Sequence, residues 1–200
     1  ASADDIQLAL ALGVSSIMAD GSHLSYAANR SFVGAMATLV HDRQGFVEAE
    51  LGRLSGTEDG LTVAEYEEKL TDPTQASDFV RDARVDALAV CIGNVHGHYR
   101  GEPKLDFARL AAIRQSVAVP LVMHGASGLP ESMIQRSIEL GICKFNVNTE
   151  VREAYLASLK TDLSLPKAPD LVQLMQHAVD AMQRVVRSKL LLFGSAGKAG

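Results

Sequence analysis

Along the chain, short and nearly continuous apolar runs alternate with longer stretches whose apolar residues recur at helical spacing. Five runs read as strands: residues 16–20, 46–51, 87–92, 120–124 and 144–147. Runs this uniformly apolar are expected where a parallel sheet is covered on both faces. The stretches between them carry helix signals. Ser2 and Asp5 form a start signal at the front, and Asp72-Pro73 opens another helix. Asp106 precedes Phe107, Leu110, Ala111 and Val117 at helical spacing. Pro130 stands in a first turn before Met133, Ile134 and Ile138, with Gly141 as the stop. Thr149 caps a helix reaching Leu163, residues 164–169 break the chain, and Asp170 opens a last long helix ending near Phe193-Gly194.

Strands alternating with helices predict a parallel α/β fold. The residues that finish the strands choose between its two main forms. Asp20, Glu50, His96, His124 and Asn146 each stand at or just past the C-terminal end of a different strand. A doubly wound sheet gathers its chemistry at one switch point. Polar residues spread over successive strand ends predict a TIM-type (β/α)8 barrel instead, because all those ends open on one mouth. Such a barrel needs eight strands, and five are legible. The expectation is therefore a single domain over residues 1–200, forming the last five β/α units, with the first three missing.

Composition narrows the partners. Apolar residues make up 47% and charged residues 22%, and the formal charge of −5 argues against nucleic acid or an anionic membrane as partner. No apolar run reaches the ~20 residues of a membrane helix, and no signal-peptide pattern opens the chain. Cys91 and Cys143 lie in apolar runs and read as two buried free thiols, which suits a reducing cytoplasm.

Three clusters carry chemistry. His96 and His124 end successive parallel strands, each followed by glycine, so their imidazoles can converge on one ion. Two ligands do not complete a catalytic zinc site, so a third must come from Glu50 or from the missing units. Gly125-Ala126-Ser127-Gly128 and Asn146-Val147-Asn148-Thr149 read as anion holders, since glycine admits backbone N–H groups and hydroxyls stand just before helices. The loops after a barrel's last two strands are its usual phosphate site. Glu48 and Glu50 share one side of a strand, and for Glu48 a salt bridge inside the barrel is expected. The stretch 53–60 reads as a mobile loop in which Glu58 is a candidate general base. Lys144 opens its strand in this reading, at the end away from the mouth, which leaves no lysine for a Schiff base.

These motifs resemble one family. Asp20-Gly-Ser-His, Glu48-Ala-Glu-Leu-Gly, Thr57-Glu-Asp-Gly, Gly93-Asn-Val-His-Gly, His124-Gly-Ala-Ser-Gly and Asn146-Val-Asn-Thr-Glu stand in the order found in class II, metal-dependent ketose-bisphosphate aldolases. The resemblance runs from residue 1 to the C-terminal Phe193-Gly-Ser-Ala-Gly-Lys-Ala. It implies that His96 and His124 bind Zn²⁺, with Glu50 and Asp20 as acids close to the metal and a second divalent or a monovalent cation allowed. It implies that Gly97, Gly125, Ala126, Ser127, Asn146, Val147, Asn148 and Thr149 hold dihydroxyacetone phosphate, and that Glu58 removes a C1 proton. The implied reaction is reversible cleavage of fructose 1,6-bisphosphate, with tagatose 1,6-bisphosphate or a related ketose phosphate as the rival substrate. A homodimer or homotetramer is the expected assembly. The family also carries an Asp-His pair on its third strand, supplying the remaining zinc ligand and an acid; it is absent from these residues. A chain without it would bind zinc poorly, or be a non-catalytic remnant that keeps only the fold.

Overall fold

A computed structural model describes residues 2–58, 61–63, 69–99 and 101–198, without the side chains of 55–58 and 61–63. The principal sheet has five parallel strands: β1 (Ser16–Ala19), β2 (Phe46–Leu51), β5 (Ala87–Val90), β7 (Leu121–Met123) and β8 (Ile142–Phe145). They lie side by side in chain order. Each step between neighbours passes through a helix: α2 (Tyr26–His41), α3 (Pro73–Ala83), α4 (Phe107–Ser116) and α5 (Glu131–Glu139). Helix α1 (Ala3–Ala11) precedes the sheet, and α6 (Thr149–Leu163) and α7 (Leu171–Leu192) follow it. Among the described residues, β1 and β8 each have a single neighbour in this sheet. None of the described helices is long and apolar enough to cross a membrane.

Local chemistry explains the helix starts. Ser2 and Asp5 complete a capping box on α1, and Asp170 and Gln173 complete one on α7. Asp72 accepts the N–H groups of Thr74 and Gln75, with Pro73 supplying a preset first turn. Asp106 accepts the N–H of Arg109 to open α4. The outward face of the sheet carries Val47, Ala49, Leu51, Leu88, Val90, Leu121 and Met123, all buried with Val33, Val40, Phe79, Leu110, Ile113 and Ile134 from the helices. This is the main core. The inward face is different. There Ala87, Ala89 and Val122 form a small apolar floor, and charged side chains rise beside it.

Three expectations need correction. The stretch 53–60 is not simply a loop: β3 (Ser55–Glu58) pairs antiparallel with β4 (Leu61–Val63) and parallel with β6 (Val95–His96) in a second, three-stranded sheet. The fifth strand starts two residues earlier than expected, at Ile142, directly after Gly141 turns the chain at φ +104°. Lys144 therefore does not open its strand; it stands one residue from the C-terminal end. Cys143 is exposed, not buried, although it and Cys91 are both free thiols as expected. The cause is a register irregularity. Leu121 pairs with Ile142 and the next residue, Val122, pairs with Lys144, so Cys143 is extruded as a bulge.

Candidate metal and substrate site

Register predicts which side chains share the inward face. Glu50 pairs with Ala89, Ala89 with Val122, and Val122 with Lys144. Residues paired across a parallel sheet point the same way, and so do residues two apart on one strand. Glu48 and Glu50 on β2, His124 just past β7, and Lys144 on β8 thus rise from one surface toward one mouth.

The side chains meet there. His124 Nε2 lies 3.0 Å from Glu48 Oε1, and His124 Nδ1 lies 3.0 Å from Glu50 Oε2. Lys144 Nζ donates to both Glu48 oxygens, at 2.9 and 3.2 Å, and to Asn146 Oδ1 at 2.7 Å. Glu48, Glu50 and His124 are buried, while Lys144 is half exposed. Burial alone would push the His124 imidazole down, but hydrogen bonds and charge from both glutamates outweigh it and raise its pKa from 6.5 to about 9. Burial likewise pushes the Glu48 carboxyl up, and bonding to His124 and Lys144 overcomes this and holds it below the ordinary carboxylate value. The salt bridge expected for Glu48 is present, and Lys144 completes it.

The His96 ring lies 6.0 Å from the His124 ring, centre to centre, with 26° between their planes. An imidazole bound to zinc has its centre about 3 Å from the ion, so two rings on one ion stand no more than roughly 6 Å apart. The pair is at that limit. Its donor set, two imidazoles and the Glu50 carboxylate, is of the kind zinc takes. In the present arrangement, however, both His124 nitrogens are engaged by carboxylates, and no three described His, Cys, Asp or Glu residues already form a metal-holding group. Asp20 directly follows β1 and accepts the N–H of Ser22 at 2.9 Å; among the described residues it makes no hydrogen bond or ion pair with this cluster. Glu58 ends β3, and its side chain lies outside the described residues.

The glycine turns are held by close packing. Gly125 has φ +64°, and a Cβ there would lie 2.1 Å from the carbonyl oxygen of Val95. Gly125→Ala is therefore expected to cost about 2 kcal/mol or more, from left-handed backbone strain and a clash with main chain that cannot swing aside. Chemical denaturation measures it; an unchanged midpoint would mean that the turn is loosely held. Ala126 and Ser127 are buried, and Gly97 follows His96 with φ +83°. Asn146, Val147 and Asn148 form the partly exposed link from β8 into α6, and Asn148, not Thr149 as expected, occupies the cap position, without a side-chain cap bond; Thr149 is the first helical residue.

The sequence profile of the family "Fructose-bisphosphate aldolase class-II" matches residues 1–198. The chain belongs to the class II fructose-bisphosphate aldolase family. Among solved structures, the YdjI aldolase from Escherichia coli K12 is 34% identical, with a TM-score of 0.83 over 100% of this chain and 68% of that one. A provisionally assigned fructose-1,6-bisphosphate aldolase from Coccidioides immitis is 33% identical, with a TM-score of 0.90 over 98% of this chain and 69% of that one. The fold extends to a fructose-bisphosphate aldolase from Campylobacter jejuni, 20% identical, with a TM-score of 0.72 over 94% of this chain and 63% of that one.

In this member of the class II aldolase family, several supporting residues were not among the site residues expected from the sequence. Asn94 is fully buried; its Oδ1 accepts the N–H of Ile92, and its Nδ2 donates to the carbonyls of Val90 and His124. It thereby fastens the end of β5 to the backbone that carries the central imidazole. Tyr99 Oη donates to the Gly125 carbonyl at 3.0 Å and accepts the Val95 N–H at 3.3 Å. Thr71 Oγ1 donates to the Leu51 carbonyl and accepts the Cys91 N–H, joining the ends of β2 and β5. A polar residue one or two places past an apolar strand was the available signal for Asn94.

Proposed function

We propose that this aldolase catalyses the zinc-dependent, reversible cleavage of a ketose 1,6-bisphosphate, fructose 1,6-bisphosphate foremost, to dihydroxyacetone phosphate and glyceraldehyde 3-phosphate. The five-stranded sheet is read as an arc of a (β/α)8 barrel, with the site at the C-terminal mouth. The observation that carries the reading is His124 at a strand end, 3.0 Å from Glu50 and with its ring centre 6.0 Å from that of His96, beside the two turns read as anion holders.

Each residue then has a role. His96, His124 and Glu50 would hold the zinc, with the proton now shared by His124 and Glu50 given up on binding. Bound zinc would act as a Lewis acid, lowering the cost of removing a C1 proton next to the substrate ketone. Glu58 takes that proton, and C1 is then free to attack the aldehyde; cleavage runs the same steps backwards. Glu48, kept ionised by Lys144, fixes the orientation of the His124 ring from its other nitrogen. Backbone and hydroxyl groups of Gly97, Gly125, Ala126, Ser127 and residues 146–149 take the phosphate. Lysine has only donors, so its bond to Asn146 Oδ1 turns the Asn146 NH₂ outward, toward an oxygen of the substrate. Lys144 acts through its charge in the Glu48 ion pair, its Nζ bonded to both Glu48 oxygens and to Asn146.

The reading is tested by following dihydroxyacetone phosphate released from fructose and tagatose 1,6-bisphosphates, before and after chelation and zinc re-addition. Cleavage that vanishes with chelation and returns with zinc supports it, and the faster ketose names the substrate. Cleavage of neither sugar, or cleavage indifferent to chelation, would sink it. Asn146→Asp keeps the partner for Lys144 but removes the NH₂ donor, and is expected to lower kcat/KM by about tenfold. An unchanged value would show that the amide does not face substrate.

A further inference from the structure

From the ion pair behind the glycine turn, and resting on the phosphate-binding reading above, we infer that Glu150 and Lys189 are positioning residues. Together they set the spacing of the two anion-holding segments while cancelling the charge that does so. Glu150 stands on the first turn of α6, immediately after Thr149. Its Oε1 accepts the N–H of Gly128 at 2.7 Å, and Gly128 closes the turn that begins at Gly125. This one hydrogen bond joins the far end of residues 125–128 to the far end of residues 146–149. Lys189, near the C-terminal end of α7, puts its Nζ 2.8 Å from Glu150 Oε1 and 2.7 Å from Oε2. The lysine side chain is only 16% exposed and the glutamate 29%, so solvent screens the pair less than an ordinary surface bridge. A second strap, His98 to Glu153 at 2.5 Å, ties the turn after Gly97 to the same helix, but it is largely exposed and contributes little by comparison.

The physical difficulty of such a clasp is its sign. A carboxylate at the start of α6 suits the helix dipole, but it repels a phosphate drawn to the same N–H groups. Lys189 removes the conflict. It leaves Glu150 its hydrogen bond to Gly128 and takes away most of its field at the anion. The last long helix therefore contributes to the site by neutralising a group placed between the phosphate loops, without touching substrate.

This makes a prediction that depends on sign and that loss of packing would not imitate. Binding of dihydroxyacetone phosphate and of inorganic phosphate is measured by calorimetry, on both metal-loaded and metal-free protein. Lys189→Met, which leaves Glu150 uncompensated, should weaken binding of both by about tenfold. Lys189→Arg keeps the charge and should remain within about threefold of the parent, providing a folded control. Glu150→Gln keeps an acceptor for Gly128 and should bind phosphate at least as tightly as the parent. The double variant Glu150→Gln with Lys189→Met should return to within about twofold of the parent, because the repulsion goes with the carboxylate. If the double variant is as weak as Lys189→Met alone, Lys189 is itself a phosphate ligand and the clasp is overturned. If Lys189→Met binds normally while Ser127→Ala weakens binding, the clasp is overturned and the phosphate site stands. If Ser127→Ala and Gly97→Ala both leave phosphate binding unchanged, the underlying placement of the phosphate is wrong and the inference falls with it.

Discussion

His124→Ala is expected to strip the protein of its metal, abolish measurable aldol cleavage and lower folding stability by about 3–5 kcal/mol. The stability loss comes from what remains. Glu48 and Glu50 are buried on one face of β2, and in the structure one imidazole ring lies between them, 3.0 Å from each. With the ring gone, only Lys144 among the described residues faces Glu48, and Glu50 loses its ion pair with His124. One carboxyl must then take up a proton or draw in water. Removing a single partner from a buried ionic group is far costlier than replacing the whole group. Metal analysis of the purified variant and denaturant unfolding read the two effects separately. Full zinc content with wild-type cleavage would remove His124 from the ligand set.

The same variant changes the shape of the stability–pH curve of the metal-free protein. The folded His124 has a pKa of about 9 against the ordinary 6.5, so its contribution is whole below pH 6.5 and is lost as pH rises through 9. Glu48 is held below its ordinary 4.5, so its contribution is present above 4.5 and is lost as pH falls through its lowered value. Wild-type stability should therefore decline on the alkaline side between about pH 6.5 and 9. In His124→Ala that alkaline decline should disappear.

Glu58→Ala is expected to lower kcat by about a hundredfold or more while leaving KM nearly unchanged. Glu58 ends β3, and two residues earlier Gly56 pairs with His96 in the parallel ladder between β3 and β6. A strand advances about 3.3 Å per residue, so the Glu58 backbone lies roughly 7 Å further along from the residue paired with a proposed ligand. A base that acts on a C–H bond contributes in the transition state and little to ground-state binding of the phosphate, hence the split between kcat and KM. Detritiation of C1-labelled dihydroxyacetone phosphate isolates the proton step from the aldehyde. Exchange at the normal rate in the variant would reduce Glu58 to a loop charge.

The principal sheet was legible because every one of its strands is an apolar run flanked by turn chemistry, and its order follows from alternation with helices. The second sheet was hidden for the opposite reason. Ser55-Gly-Thr-Glu58 and Leu61-Thr-Val63 are short and half polar, and what holds them is backbone pairing, including a parallel ladder to Val95-His96 far along the chain. No periodicity announces that partner. Lys144 was misplaced because Ile142-Cys-Lys-Phe-Asn-Val can be cut as a strand in more than one way, and a one-residue bulge leaves no mark in composition. In a regular strand Ile142 and Lys144 would share a face; the extruded Cys143 sends one to the core and the other to the site. His96, His124 and Glu50 could be read because reactive residues at strand ends need only the strand boundaries. The contacts of His124 with Glu48 and Glu50 could not, since they depend on distances that the sequence does not encode.

The order of the sheet also bears on how the molecule comes into being on the ribosome. In the principal sheet each strand's neighbour is the next strand of that sheet along the chain, so every β/α unit can dock on its predecessor as soon as it emerges. The site does not follow that schedule. Glu48 and His124 are separated by 76 positions, a delay of roughly 4–15 s at ordinary translation rates. During that interval β1, β2 and β5 can assemble with two glutamates on the inward surface and no imidazolium to neutralise them. Those glutamates stay wet until β7 arrives, so the inward face of β2 can be buried at low cost only once His124 and, with Val122, the rest of the apolar floor are in place.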